Sequence, residues 1–492
     1  MNRFLRDAIE LLRIRSYPEY GNEEVVSFFE KLFQERGIFF ETQKVFHSEE
    51  NISKRQFNLK GCIGDSLVDR STRKGLLFLS HLDTYEPVLP KQWTEIEAPL
   101  KGEIKNNHLV GLGASSGKLD FLCKLYAAQK FREQKLKIPL YLVGVCGREL
   151  RDLGAQYLVE SLAVNPQWVV VGAPTQLELV HRQKSMIRFE MKVDFHSVVK
   201  DSRGYNRQVR VTSFGKSGAH SFSNQGENAI EQLFSFLEKA ENSGFEFQLK
   251  EMKTPYYDRQ IPDRADAELY LTSHQFEDFK RFFREFDSLP EMKGKFELEF
   301  GGLGDLGIQF IPEQVKEFTF EFRKYLSNLQ KQLEREKISG FDPDFSTLSF
   351  QSADTDAYQV KFGFHLHSFS KDGPQVDKKK VIDFFESLKK SHPNLNIQIN
   401  VPSISPQIDE NPEDDLYQIA SESLEAIGLV PTVSSLSYTT EAGFFAEKGF
   451  STLVFGPGEA KGNLYAPDEK VTLHELQKAV HFYQELIEGI CL

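Results

Sequence analysis

The chain of 492 residues carries 60 basic and 72 acidic side chains, a net charge of −12, with 40% hydrophobic residues and a mean hydropathy of −0.41. That length exceeds what one hydrophobic core supports and sets an expectation of roughly two or three domains. With no Lys/Arg block and no apolar run near the length of a membrane span, the composition argues against nucleic acid and membrane as partners.

The start of the chain is amphipathic, with charges spread through residues 1–12, and lacks the apolar core of a signal peptide. Four scattered cysteines (Cys62, Cys123, Cys146, Cys491) read as reduced thiols of a cytoplasmic protein. Apolar positions at helical spacing predict helices over 4–13 and 24–35. Strands follow at 37–46, 56–63 and 76–80, then a helix at 118–133 and the buried strands Pro139–Cys146 and Trp168–Gly172, separated by a helix through Gly154. Strands alternating with helices predict an α/β domain with a parallel-rich sheet sandwiched by helices.

After His181 the texture changes to half-exposed strands (185–195, 207–214), an amphipathic helix (226–240), charged helices (275–286, 313–337) and a Lys-rich helix (376–390). The Gly-rich piece Gly301–Gly307 lacks the Lys-Ser/Thr of a phosphate loop and reads as a turn. From Pro402 the α/β texture returns, with helices at 412–427 and 471–489 around a strand-turn at Gly449–Gly458. The expected division is a discontinuous α/β domain, 1–182 and 403–492, with an inserted α+β lid/dimerisation domain, 183–402, enlarged around 288–345.

The chemistry concentrates where Gly75-Leu-Leu-Phe-Leu-Ser ends in His81-Leu-Asp83. A buried parallel strand would deliver both side chains to the crevice beyond its C-terminal end. Six segments lie in order along the chain: Ser80-His-Leu-Asp-Thr; Val110-Gly-Leu-Gly-Ala-Ser-Ser-Gly-Lys; Arg148-Glu149 before Leu153-Gly-Ala; Gly172-Ala-Pro-Thr; Gly218-Ala-His220-Ser; and Tyr438-Thr-Thr-Glu441-Ala-Gly with Phe455-Gly-Pro-Gly and Tyr465-Ala-Pro-Asp-Glu469. Together they resemble the motifs of the co-catalytic zinc peptidases and deacylases, the family of acetylornithine deacetylase, succinyl-diaminopimelate desuccinylase, aminoacylase and the glutamate carboxypeptidases.

The resemblance implies two zinc ions sharing a bridging Asp, with a Glu as general base. Laid onto this chain, the bridging position is Ser116, the Glu of the Gly-Glu-Pro-Thr segment is Ala173, the late His is Tyr465, and the general base is Arg148, which cannot accept a proton. Only the ligand positions His81 and Glu149 are kept, one for each ion, against the roughly three protein ligands a catalytic zinc needs. Asp120, Cys146, Glu178 and His181 are the nearby alternatives. The reading is a divergent, non-catalytic member without a cofactor, in which Arg148 pairs with Asp83 or Glu149 and converges with His81 and Tyr465 on a cleft for a small anionic, carboxylate ligand. The resemblance further implies a homodimer, with His220 facing the cleft. The alternative is a zinc-dependent hydrolase of N-acyl amino acids or peptides with a rearranged metal site.

Overall fold

The structure, a computed structural model, describes residues 2–48, 52–64, 74–86, 90–161, 165–196, 198–199, 204–222, 226–255, 258–303, 308–356 and 358–492. The chain divides into two units. One contains residues 1–185, 340–342 and 405–492, the other 186–339 and 343–404.

The first unit is built on a nine-stranded sheet. Its middle strands, in spatial order Leu140–Val145, Gly75–His81, Pro166–Gly172 and Ser451–Phe455, run parallel. Phe57–Ile63 and Phe39–Lys44 add antiparallel at one edge, and Leu179–Gln183 with its neighbours Ile408–Asp409 and Val433–Leu436 completes the other. The runs Leu76–Leu79 and Val169–Val171 are wholly buried, as a strand covered on both faces requires. The covering helices, Asn2–Leu12, Glu23–Arg36, Gly117–Ala128, Asp415–Ala426 and Leu473–Cys491, contribute to one continuous core. Their ends follow local chemistry. Glu23 and Glu24 sit in the first turn of the second helix and Gly37 caps it at φ 65°, while Thr472 and Glu475 form a reciprocal capping box on the last helix.

One polar assembly lies inside this apolar core. Asp120, on the helix Gly117–Ala128, accepts hydrogen bonds from Ser80 (2.7 Å) and Tyr483 (2.5 Å) and pairs with Lys124 at 2.8 Å. Lys124 Nζ also donates to the carbonyls of Leu79 and Val170. The group ties the helix to the His81 strand, its neighbour and the closing helix. Gly172 has no side chain because a Cβ there would collide with the Asp120 carboxylate.

The second unit carries two four-stranded sheets. Their orders are Phe247–Lys253, Arg264–Thr272, Tyr205–Phe214, Phe296–Leu303, and Thr347–Thr355, Gln359–Ser368, Ser185–Asp194, Asn396–Ser405. The helices Ala229–Asn242, Phe276–Asp287, Glu313–Leu333 and Pro374–Ser391 accompany them. Much of the chain's phenylalanine is spent here: Phe322 stacks on Phe362 at 4.3 Å, and Phe236 is ringed by Phe279, Phe282, Phe286 and Phe296. The Gly-rich piece read as a turn begins instead as the end of a strand, through Leu303, and 304–307 lie outside the described residues. Among the described residues no helix is long and apolar enough to cross a membrane, and all four cysteines are buried and free.

A buried polar group also marks this unit. Arg188 grips Asp258 with two hydrogen bonds of 2.6 and 2.7 Å, and Arg259 adds a second cation. His220 packs against it, Nε2 3.0 Å from the Asp258 carbonyl and Nδ1 2.9 Å from His367 Nε2, with His365 at its edge. Burial pushes His220 down to about 3, outweighing Asp258, and holds His365 well below its ordinary range.

Two expectations follow. Asp120→Ala strands the Lys124 ammonium in a dry interior and should cost about 3–5 kcal/mol of the first unit's stability in urea unfolding, whereas a loss under about 1 kcal/mol would remove the assembly's organising role. Since His220 is lowered from 6.5 to about 3, the unfolded chain takes up its proton first on acidification. Its contribution is therefore intact above about pH 6.5 and lost below it, so the second unit's stability should fall by about 1.4 kcal/mol per pH unit for each such histidine, and His220→Gln should lower that slope. An unfolding midpoint unchanged between pH 7 and 5 would contradict it.

Candidate functional site

The C-terminal ends of the four parallel strands open onto one cleft, the position where a sheet of this kind holds its ligand. The strand Gly75–His81 delivers His81 and then Asp83. Leu140–Val145 leads to the loop of Arg148 and Glu149, in which Arg151 and Asp152 take left-handed φ of 59° and 61° before the helix Leu153–Glu160. Pro166–Gly172 leads to Ala173, and Ser451–Phe455 to the segment of Tyr465 and Glu469. His81, Asp83, Ser116, Arg148, Glu149, Ala173 and Tyr465 all line this cleft, with Tyr85, Tyr438 and Glu469 among the other walls. They leave a cavity of about 20 Å³, room for a single water-sized group.

The hydrogen bonds define what each side chain can do. Asp83 accepts the backbone N–H groups of Arg148 (3.1 Å) and Glu149 (3.0 Å), so it holds the loop in place. Burial raises its carboxyl, against the pull of His81 and those donors. His81 Nε2 accepts the N–H of Gly117 at 3.1 Å, which puts the ring proton on Nδ1, 3.3 Å from Glu441 Oε1. Gly117 permits that approach, because a Cβ would sit 2.7 Å from His81 Nδ1. Ser116 donates to the Gly113 carbonyl and Tyr465 to Glu149 Oε1 (2.6 Å).

Arg148 is buried; Asp83 meets its backbone N–H, Glu149 adds to the charge around it, and its guanidinium reaches further partners. Nη2 donates to the Thr439 carbonyl at 2.6 Å, and Nη1 lies 3.5 Å from both Asp152 Oδ1 and Glu441 Oε1. Burial opposes the charges, yet Glu441 with Tyr465 and Asp152 keeps Arg148 cationic far above its ordinary range, and Arg148 with His81 holds Glu441 well below the usual carboxylate range. Asp152 is anchored in turn by Ser405 at 2.7 Å. On the opposite wall Glu469 accepts the N–H groups of Gly113 and Ser115, and burial pushes it up to about 7. Lys118, fully buried nearby without a hydrogen-bond partner, is pushed down to about 8, against the attraction of Glu469.

Five residues expected to converge, His81, Asp83, Arg148, Glu149 and Tyr465, thus share one cleft. His220 belongs to the other unit, and its hydrogen bonds stay within that unit. Three of the four alternative ligand candidates are committed elsewhere: Asp120 to Ser80, Lys124 and Tyr483, Cys146 as a buried thiol, and His181 to the Glu410 carbonyl. Glu441 and Asp152 were missed as partners of Arg148. Glu441 stood in a motif already singled out, and Asp152 lies four residues past Arg148.

The donor set does not fit two zinc ions. One retained ligand, His81, already accepts a hydrogen bond at Nε2 and turns Nδ1–H to a carboxylate, so it has no lone pair to give. Ser116, Ala173 and Tyr465 supply no carboxylate or imidazole, and among the described residues no three His, Cys, Asp or Glu side chains are grouped to hold a metal. Position 148, where the resemblance implies a proton acceptor, holds an arginine, which cannot take up a proton.

Comparison with known proteins bears on the whole chain. The family model described as Peptidase family M20/M25/M40 matches residues 77–489. Acetylornithine deacetylase of Buchnera aphidicola (subsp. Schizaphis graminum) is 28% identical over 171 residues, 33% of this chain and 42% of that protein. The Vibrio atlanticus enzyme of the same name is 27% identical over 219 residues, 44% and 48% respectively, so the matches span less than half of these relatives. Among solved structures, human carnosine dipeptidase 1 superposes with a TM-score of 0.59 at 13% identity over 99% of this chain and 97% of its own. A metallo-carboxypeptidase of Sulfolobus solfataricus does so with 0.58 at 14% over 100% and 99%. At such identity the likeness is one of fold. The family model, covering most of the sequence, carries the assignment: the chain belongs to peptidase family M20/M25/M40.

Proposed function

We propose that this chain is a non-catalytic member of its family, in which a network of protein charges takes the place of the metal ions and the cleft serves binding or regulation. The observation that carries the reading is Arg148, at the general-base position, held between the Thr439 carbonyl, Asp152 and Glu441. A cluster of carboxylates stripped of two divalent ions would be left with uncompensated buried charge. Here three acids are replaced at 116, 148 and 173, and a guanidinium is supplied. The named activity of the relatives, deacetylation of acetylornithine, calls for an activated water and a base, and the position the resemblance gives to that base carries Arg148.

The same reading includes a cytoplasmic homodimer without a bound cofactor, with the inserted unit as lid and dimerisation domain. The four reduced thiols and the strand edges Phe296–Leu303 and Asn396–Ser405 support it. A strictly monomeric mass at micromolar concentration would count against the dimer.

Protein purified without chelator should contain substoichiometric zinc by elemental analysis and should not turn over N-acetylornithine. Stoichiometric zinc, or turnover abolished by His81→Ala, would establish the rearranged hydrolase instead. Arg148→Glu should not restore hydrolysis, because Ser116, Ala173 and Tyr465 still withhold ligands. It should lower stability by on the order of 3 kcal/mol in chemical denaturation, since it sets an acid beside Glu441 and Asp152.

A further inference from the structure

We propose that Gly340, Phe341 and Asp342 form a strap that gates the cleft: docked, it holds the wall of residues 437–441 closed on the cavity, and lifted, it frees that wall to admit a ligand. The inference rests on the reading of a non-catalytic binding cleft. The first unit takes these three residues from the middle of the sequence that otherwise forms the second. Phe341 is the anchor. It is 6% exposed, although its neighbours on both sides are exposed, and its ring is approached by the Arg182 guanidinium at 5.3 Å and the Lys184 ammonium at 5.6 Å. Asp342 fixes the end of the strap, accepting the Ser437 hydroxyl on its carbonyl at 2.6 Å and pairing with Lys461 at 2.6 Å.

A short path of contacts runs from this anchor to the cleft. Gln183, between the two cations in sequence, holds Thr440 with three hydrogen bonds: its amide donates to the Thr440 carbonyl (3.2 Å), and its oxygen accepts the Thr440 N–H (3.0 Å) and hydroxyl (2.6 Å). The Lys184 N–H adds a bond to the Leu436 carbonyl at 3.0 Å. The stretch so held carries Tyr438, which lines the cavity, Thr439, whose carbonyl receives Arg148, and Glu441, which pairs with Arg148 and His81. The cavity of about 20 Å³ takes only a water-sized group, so any larger ligand needs a wall to yield. Asp83 and Glu469 each tie a neighbouring loop down through two backbone amides, which leaves the strapped wall to move. The strap itself is built to release. Its Asp342–Lys461 ion pair has side chains 73% and 52% exposed, within reach of water and salt. The Ile338 N–H donates to the Asp344 carbonyl at 2.6 Å, closing the loop that carries the strap, so it can lift without losing its shape.

Labelling of the full chain by phenylglyoxal, an arginine-selective reagent, provides the test, with the rate read at each arginine by peptide mass mapping. In the wild-type protein the buried Arg148 should react slowly, as should Arg188, buried in the second unit. Phe341→Ala should speed the labelling of Arg148 at least about tenfold and leave Arg188 unchanged. Lys461→Ala removes only the exposed ion pair; it should raise the Arg148 rate about threefold, and it decides alone if Phe341→Ala does not fold. An Arg148 rate unchanged in the folded variants, or Arg148 and Arg188 rising together, would overturn the inference. Zinc content and turnover are read on separate samples, so an inert, zinc-free protein with unchanged Arg148 labelling rejects the strap alone, while a zinc-loaded, active one rejects the reading beneath it.

Discussion

Glu441 and Arg148 place opposite charges 3.5 Å apart where almost no water reaches, and much of the surrounding loop structure follows from keeping both partnered. A buried guanidinium must spend its donors, and this one is placed among a carbonyl and two carboxylates that come from two separate stretches of chain. The left-handed backbone at Arg151 and Asp152 is part of that arrangement: it brings Asp152 under Arg148 at a conformational cost on the order of 1 kcal/mol per residue, which the ion pair and Ser405 offset. His81 completes the set by turning its Nδ1–H to the same carboxylate.

The closed cleft is rigid for the same reason. Asp83 fastens the Arg148 loop through two backbone amides, Glu469 fastens the loop of Gly113 and Ser115 through two more, and the Asp120 assembly anchors the helix that starts beside His81. The hydrogen bonds of Asp83 and Glu469 are thus turned inward onto the protein's own loops.

Much of this architecture was legible beforehand because its signals are local. A run such as Leu76–Leu79, apolar at every position, fits only a strand covered on both faces, and the lost ligand positions were pinned by flanking glycines and prolines. Most of the groups that share the cleft were equally visible, since His81, Asp83, Arg148, Glu149 and Ala173 each close or follow a parallel strand. What escaped was pairing. Thr439 and Glu441 lie almost three hundred residues from Arg148, and nothing at either end specifies the other. The bonding of Asp83 to two backbone amides depends on loop conformation, which side-chain identity does not encode. Asp120 looked like a stray acid one turn into a helix, and only the meeting of Ser80, Lys124 and Tyr483 reveals its use. The Gly-rich segment misled in the opposite direction, since its Leu303 still pairs with Arg207 of the one neighbouring strand, across a register shift, despite a turn-like composition.

The Arg148 network also bears on how such a protein could change over generations. Restoring any one lost acid, at position 116, 148 or 173, would add negative charge to a dry site already crowded with carboxylates, before enough ligands existed to capture a metal that would offset it. On the non-catalytic reading proposed above, each single step back would be a stability loss without a catalytic gain. The cleft would then act as an evolutionary ratchet, its guanidinium a keystone that no single substitution could exchange for a metal.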